Sequence, residues 1–215
     1  MTARPAVASG LEYDPVLACR HLADSDPTLG ALIARAGPYR LRPQPTQSLF
    51  AAVARAIVYQ QLSGIAAATI LGRVRAIYAP KRFPTPRDIL ATPPERLRAA
   101  GLSAAKTAAL RDLAARSLDR TVPTMRRVRL MDDEEIVERL IQVRGVGRWT
   151  AEMLLMFRLG RGDVLPVSDL GIRKGFALTF GSRRLPAAVT IERRAQRWRP
   201  YRSVASWYLW RALEL

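Results

Sequence analysis

The sequence is short of the residues that redox and metal chemistry usually borrow. It holds one cysteine, Cys19, and one histidine, His21, in 215 residues. A single cysteine excludes an internal disulfide and an iron–sulfur cluster ligated by cysteines of one chain, and a lone histidine offers metal-assisted hydrolysis no ligand set. Lysine is nearly absent too, with only Lys81, Lys106 and Lys174. No apolar run approaches the roughly 20 residues needed to cross a bilayer, and Met1 to Tyr13 lack the apolar centre of a secretory signal. These absences lead to the expectation of a soluble protein in a reducing cytosol, the bacterial cytoplasm or nucleoid, with no membrane partner.

Acids are the next scarcity. Eighteen Asp and Glu face 35 Lys and Arg, for a net charge of +17, and 32 of those cations are arginines. Such a surface carries a large positive field whatever its fold, and guanidinium groups suit two-point contacts with phosphate. A polyanion is the expected partner, although an ordinary solvated surface rich in arginine is the plainer reading. The run Arg193, Arg194, Arg197, Arg199 and Arg202 divides evenly between a nucleic-acid face and a solvated helix face.

The length suits one enzyme core or two small lobes sharing a cleft. Helical periodicity dominates and strand-like alternation is scarce, so the fold class is all-α. Capping signals mark the joints: Asp26 with Pro27, Thr46 before Leu49, Phe50, Val53, Ile57 and Val58, Ser63, Thr85 with Pro86, Thr92 with Pro93, and Ser103 for a helix to about Leu118. Thr121 to Arg129 reads as a basic connector, and Asp132 with Glu135 resembles a capping box for a helix to about Val143. The lobes are set at 46–130, a helical bundle, and at 1–45 with 131–215.

The stretch from Leu140 to Leu155 reads as helix, tight turn, helix. Gly145 and Gly147 flank Val146 in that turn, where absent side chains permit unusual backbone angles and close approach of another backbone. The second helix starts at about Arg148, so its first N–H groups and the positive end of its dipole point outward, the arrangement that binds a phosphate. A plain helical hairpin with a glycine cap fits the same residues.

Beyond a further helix ending near Gly160, Asp163 to Phe176 holds Ser168 and Asp169 at a helix start, where an aspartate is most often a simple cap. The hairpin paired with this downstream acid resembles the helix-hairpin-helix DNA glycosylase superfamily, most closely the DNA-3-methyladenine glycosylase II family. The resemblance is specific from about Leu140 to Phe176, extends through the tryptophans near the C-terminus, and is weaker from Thr46 to Ala68. It implies two helical lobes flanking a cleft, without the extra N-terminal β domain of one bacterial branch.

The resemblance assigns roles residue by residue. Asp169 matches the catalytic acid, Trp149 and Trp210 the aromatics that stack on a damaged base, and Gln61 with Leu62 the segment that enters the minor groove and fills the space left by the flipped nucleotide. Gly145, Val146, Gly147, Arg148 and Thr150 match the DNA-gripping hairpin. Trp198, Trp207 and Tyr208 stay packing residues. Trp149 stands where strand-cutting relatives carry a nucleophilic lysine, and an indole forms no Schiff base. The implied activity is therefore a monofunctional hydrolase that removes alkylated purines such as 3-methyladenine or 7-methylguanine from duplex DNA in base excision repair, acting as a monomer. No cofactor is required by the resemblance, though a structural sodium or potassium ion held by the backbone of Val143 and Val146 fits it. Ser168, Leu170 and Met153 depart from relatives that carry a second acid or aromatics there, which argues for a narrower lesion range. A non-catalytic helix-hairpin-helix DNA-binding protein is the alternative.

Overall fold

The computed structural model describes residues 10–44, 46 and 48–215. Among them the regular elements are helical and no strand occurs, in agreement with the all-α expectation. No helix among them is long and apolar enough to cross a membrane. Most of the segment from Met1 to Tyr13, where no secretory signal is expected, lies outside the described residues.

The helices are α1 (Pro15–Ser25), α2 (Pro27–Ala36), α3 (Leu49–Tyr59), α4 (Gly64–Ala76), α5 (Pro86–Ala91), α6 (Pro94–Ala99), α7 (Ala104–Leu118), α8 (Met125–Val128), α9 (Asp133–Leu140), α10 (Arg148–Leu154), α11 (Leu170–Thr179), α12 (Ala188–Ala195) and α13 (Arg202–Arg211). Local chemistry starts many of them. Asp14 caps α1 through the N–H groups of Val16 and Leu17, Asp26 caps α2, and Ser63 and Ser103 cap α4 and α7. Thr85 and Asp88 form a reciprocal capping box ahead of α5.

Other joints differ from the sequence reading. The cap of α3 is Ser48, whose Oγ accepts the Ala51 N–H at 3.1 Å, while the Thr46 hydroxyl donates to the Ser48 carbonyl. Thr92 ends α5 rather than starting α6, and its hydroxyl donates to the Asp88 carbonyl. Asp132 makes no side-chain cap bond to α9. The basic connector from 121 to 129 contains the short helix α8.

Two compact units divide the chain: Thr46–Leu154, and Leu155–Leu215 together with the described part of Met1–Pro45. The boundary expected near residue 130 thus falls after Leu154, and the hairpin belongs with the bundle. Specific bonds hold it there. Asp112 of α7 accepts the Arg144 N–H at 2.8 Å, Gln60 donates to the Gly145 carbonyl at 3.0 Å, and Val143 and Val146 are buried.

The unit of the chain ends packs α1, α2, α11, α12 and α13 around Leu22, Leu29, Ile172, Phe176, Trp198, Tyr208 and Leu209. Trp198 and Tyr208 are fully buried, as packing residues should be, and Trp207 packs edge-on against Tyr39. A buried acid stands beside this core. Asp26, without exposed surface, accepts two 2.8 Å bonds from Arg194 and a 3.0 Å bond from the Trp198 indole. Burial alone would raise its pKa, but these donors outweigh burial and hold the carboxyl below its usual value.

A depressed folded-state pKa adds stability that is full above the unfolded value of about 4 and is lost as pH falls through the folded value. Asp26→Asn should therefore cost about 3 kcal/mol near neutral pH, because Arg194 loses a charged partner but stays a third exposed. Thermal melts against pH should show a lower melting temperature and a flatter loss of stability at acid pH than in the wild type. Equal melting curves at pH values near 7 and near 3 for both proteins would contradict it.

Candidate functional site

Asp169 begins α11. Its Oδ1 accepts the Ile172 N–H at 2.9 Å, the ordinary work of an N-cap. The same oxygen accepts the Trp210 indole N–H at 2.8 Å from α13. Two N–H donors thus meet on one half-buried carboxylate at the positive end of the α11 dipole. The Trp210 ring stacks at 5.9 Å and 28° on Phe157, which lies in the π-helical turn Leu155–Leu159.

The reach of Trp210 to Asp169 depends on small residues in α11. A Cβ on Gly175 would lie 1.9 Å from the Leu209 carbonyl oxygen, and one on Gly171 would lie 2.7 Å from Trp210 Cδ1 and 2.9 Å from Asp169 Oδ1. Gly175 lets the backbones of α11 and α13 touch, and Gly171 leaves room for the indole beside the acid. One turn of helix separates them, so both face α13.

In the other unit, Gly145 adopts the left-handed region with φ +75°, as its place in the hairpin turn requires. Gly147 does not, and among the described residues none beyond its chain neighbours lies within 4 Å of the position its Cβ would take. The side chains of Val146 and Thr150 are buried, and the Thr150 hydroxyl accepts from Gln60 at 3.4 Å. These two residues can therefore meet a partner through backbone only. Arg148 is exposed but paired: its guanidinium holds Glu134 in a two-point contact, and that hydrogen bonding keeps the Glu134 carboxyl below its usual value. Both groups are half exposed, so the pair contributes at most about 1 kcal/mol.

The family model of HhH-GPD superfamily base excision DNA repair proteins matches residues 54–200. The chain belongs to that superfamily. It is similar to DNA-3-methyladenine glycosylase 1 of Schizosaccharomyces pombe, 35% identical over 196 residues that cover 91% of this chain and 86% of the relative. A solved structure of 3-methyladenine DNA glycosylase from the same yeast, in complex with abasic DNA, has a TM-score of 0.79 and 34% identity, covering 93% of this chain and 97% of that one. The structure of a DNA-3-methyladenine glycosidase from Bacillus halodurans has a TM-score of 0.83 and 31% identity, covering 91% and 88% respectively.

Within this HhH-GPD protein, Asp169 and Trp210 lie in one unit and are hydrogen-bonded. Trp149, Gln61, Leu62 and the hairpin lie in the other. Trp149 is 46% exposed at the start of α10, and Leu62 is 39% exposed in the turn after α3. Of the five C-terminal arginines, Arg194 is engaged with Asp26, and Arg199 and Arg202 both bind Asp163. Arg193 and Arg197 are exposed, and Arg199 is exposed although it is paired. Sequence reading missed Phe157, Gly171 and Gly175. The glycine pair four residues apart was visible, but nothing local marks which helix it faces.

Adding a methyl where backbones touch should be more costly than adding one beside a side chain. Gly175→Ala should destabilise by about 3 kcal/mol and Gly171→Ala by about 1 kcal/mol, which for a chain of this size lowers the melting temperature by roughly 6–12 °C and 2–4 °C. Thermal melts of both variants check this, and equal or reversed losses would contradict the packing described.

Proposed function

We propose that this superfamily member is a monofunctional DNA glycosylase, acting as a monomer, that flips alkylated purines such as 3-methyladenine or 7-methylguanine out of duplex DNA and hydrolyses the N-glycosidic bond. The observation that carries this reading is the Asp169 carboxylate, held by the Ile172 and Trp210 N–H groups at the start of α11. Breaking the bond between C1′ and the base leaves positive charge on the sugar, and a preorganised anion lowers that barrier more than mobile solvent does. The bond's electron pair goes to the departing purine, whose own positive charge is neutralised. A water oxygen then bonds to C1′ and gives up its proton to Asp169 or to solvent. The products are the free base and an abasic site.

The relatives support the substrate class, since those named above are 3-methyladenine glycosylases and one was solved on abasic DNA. An indole face attracts a cationic purine by about 0.5–2 kcal/mol, and Trp210 sets such a ring beside Asp169; Trp149 offers another, exposed at the start of α10. Gly147 lies at the exposed surface of the hairpin turn, where a partner's backbone has room to approach. The backbone N–H groups of the turn are the expected phosphate donors, with Arg148 adding its charge once it leaves Glu134. A monovalent cation would be held by backbone carbonyls of the hairpin. The Val143 carbonyl already accepts the Val146 N–H at 3.0 Å and retains a second lone pair for such an ion.

The test is base release from methylated duplex DNA under single-turnover conditions. Asp169→Asn should slow release on the order of 100-fold or more and leave affinity for undamaged duplex unchanged. Borohydride should trap no covalent adduct, because Trp149 replaces the nucleophilic lysine. Unchanged release by Asp169→Asn would favour a DNA-binding module without catalysis, and a trapped adduct would make the protein a lyase as well.

A further inference from the structure

The turn after α3 is held by two residues that the reading above leaves unused. Lys106 lies in the first turn of α7, where the positive end of its own helix opposes a cation. Its ammonium reaches instead to the C-terminal end of α3 and donates to the carbonyls of Val58 at 2.7 Å and Gln60 at 2.8 Å. Carbonyls in the last turn of a helix lack partners in the helix ladder, and a cation there is favoured by the dipole. Burial lowers the Lys106 pKa from its usual value, as expected for an ammonium that gives up water for carbonyls.

Beyond those carbonyls the chain turns through Gln61, which takes φ +55°, a left-handed backbone that a residue with a side chain rarely adopts. Such a conformation persists only where neighbours over-determine it. The side chain of Gln60 supplies a second tether: its Nε2 donates to the Gly145 carbonyl at 3.0 Å and to Thr150 Oγ1 at 3.4 Å. The turn is thus fastened by its backbone to α7 and by a side chain to the hairpin. Its tip, Gln61 and Leu62, is exposed.

We infer that Lys106 and Gln60 are positioning residues which hold the Gln61–Leu62 turn in its left-handed bend and join it to the hairpin as one rigid element. The phosphate grip and the entry of Leu62 into the base stack then act together. This rests on the reading that Leu62 fills the space left by the flipped base. Pre-paying the order of the turn matters for extrusion of a paired lesion and matters little for a base that is already unpaired.

A double-mutant cycle with single-turnover release of 7-methylguanine tests this. Lys106→Met and Leu62→Ala should each slow release from a paired duplex by about tenfold. The double variant should be no slower than Leu62→Ala alone, because both act through one step. Lys106→Arg, which keeps the charge and donors, should retain more activity than Lys106→Met. Release from a lesion opposite an abasic site should fall by less than about twofold in Lys106→Met, and affinity for undamaged duplex should not change. Multiplying losses in the double variant, or full activity in Lys106→Met, would overturn the inference. Full activity in Leu62→Ala would overturn it together with the wedge reading, while loss of release in Asp169→Asn would still stand for the glycosylase itself. Should Lys106→Met melt below the assay temperature, Gln60→Leu takes its place in the cycle with the same expected outcomes.

Discussion

Gly175 brings the α13 backbone so near to α11 that any side chain there would overlap the Leu209 carbonyl, and Gly171, one turn earlier, leaves an indole-sized space beside Asp169. The 2.8 Å bond from Trp210 to Asp169 is the consequence. A single hydrogen bond contributes no more than about 3 kcal/mol, too little to force two helices together against a clash. The helix separation is therefore set first, by backbone packing, and the acid's orientation follows from it. The buried Asp26 contributes at a distance by binding Trp198 and Arg194, which fixes the segment leading into α13.

The unit that carries the hairpin is organised on the same principle with different chemistry. There the constraint is polar: one ammonium and one amide side chain hold a strained turn whose tip is exposed and partly apolar. Exposed leucine and isoleucine near such a turn, with Leu62 at 39% and Ile65 at 85%, cost solubility unless a partner covers them. A rigid base under an exposed apolar tip is what the proposed entry of Leu62 into the base stack would need, since flexibility would return the ordering cost at the moment of insertion.

Much of the scaffold was legible in the sequence wherever a few adjacent residues decide the outcome. Asp26 with Pro27, Ser63, Ser103 and Thr85 with Pro86 start helices because capping is local. Asp132 looked equally suitable and makes no cap bond, and Thr46 yields to Ser48 two residues on. The boundary between units was misplaced because the bonds from Gln60 and Asp112 to the hairpin span 85 and 32 residues. Pairing of Arg194, Arg199 and Arg202 with acids was hidden for the same reason, so the sequence left the arginine run evenly divided between a nucleic-acid face and a solvated one. Asp169 is instructive, since it caps α11 and is also proposed to act on the substrate. Local pattern supports only the first, and the second came from resemblance to a family, because Trp210 lies 41 residues away.

The contact between Trp210 and Asp169 can be observed without any assay of activity. A proton–nitrogen correlation spectrum shows the indole N–H of each tryptophan, and the Trp210 signal is assigned by its disappearance in Trp210→Phe. This N–H is expected to exchange slowly with water, and its signal to move markedly in Asp169→Ala. A Trp210 signal that exchanges as fast as a free indole and stays in place in Asp169→Ala would contradict the arrangement on which the rest is built.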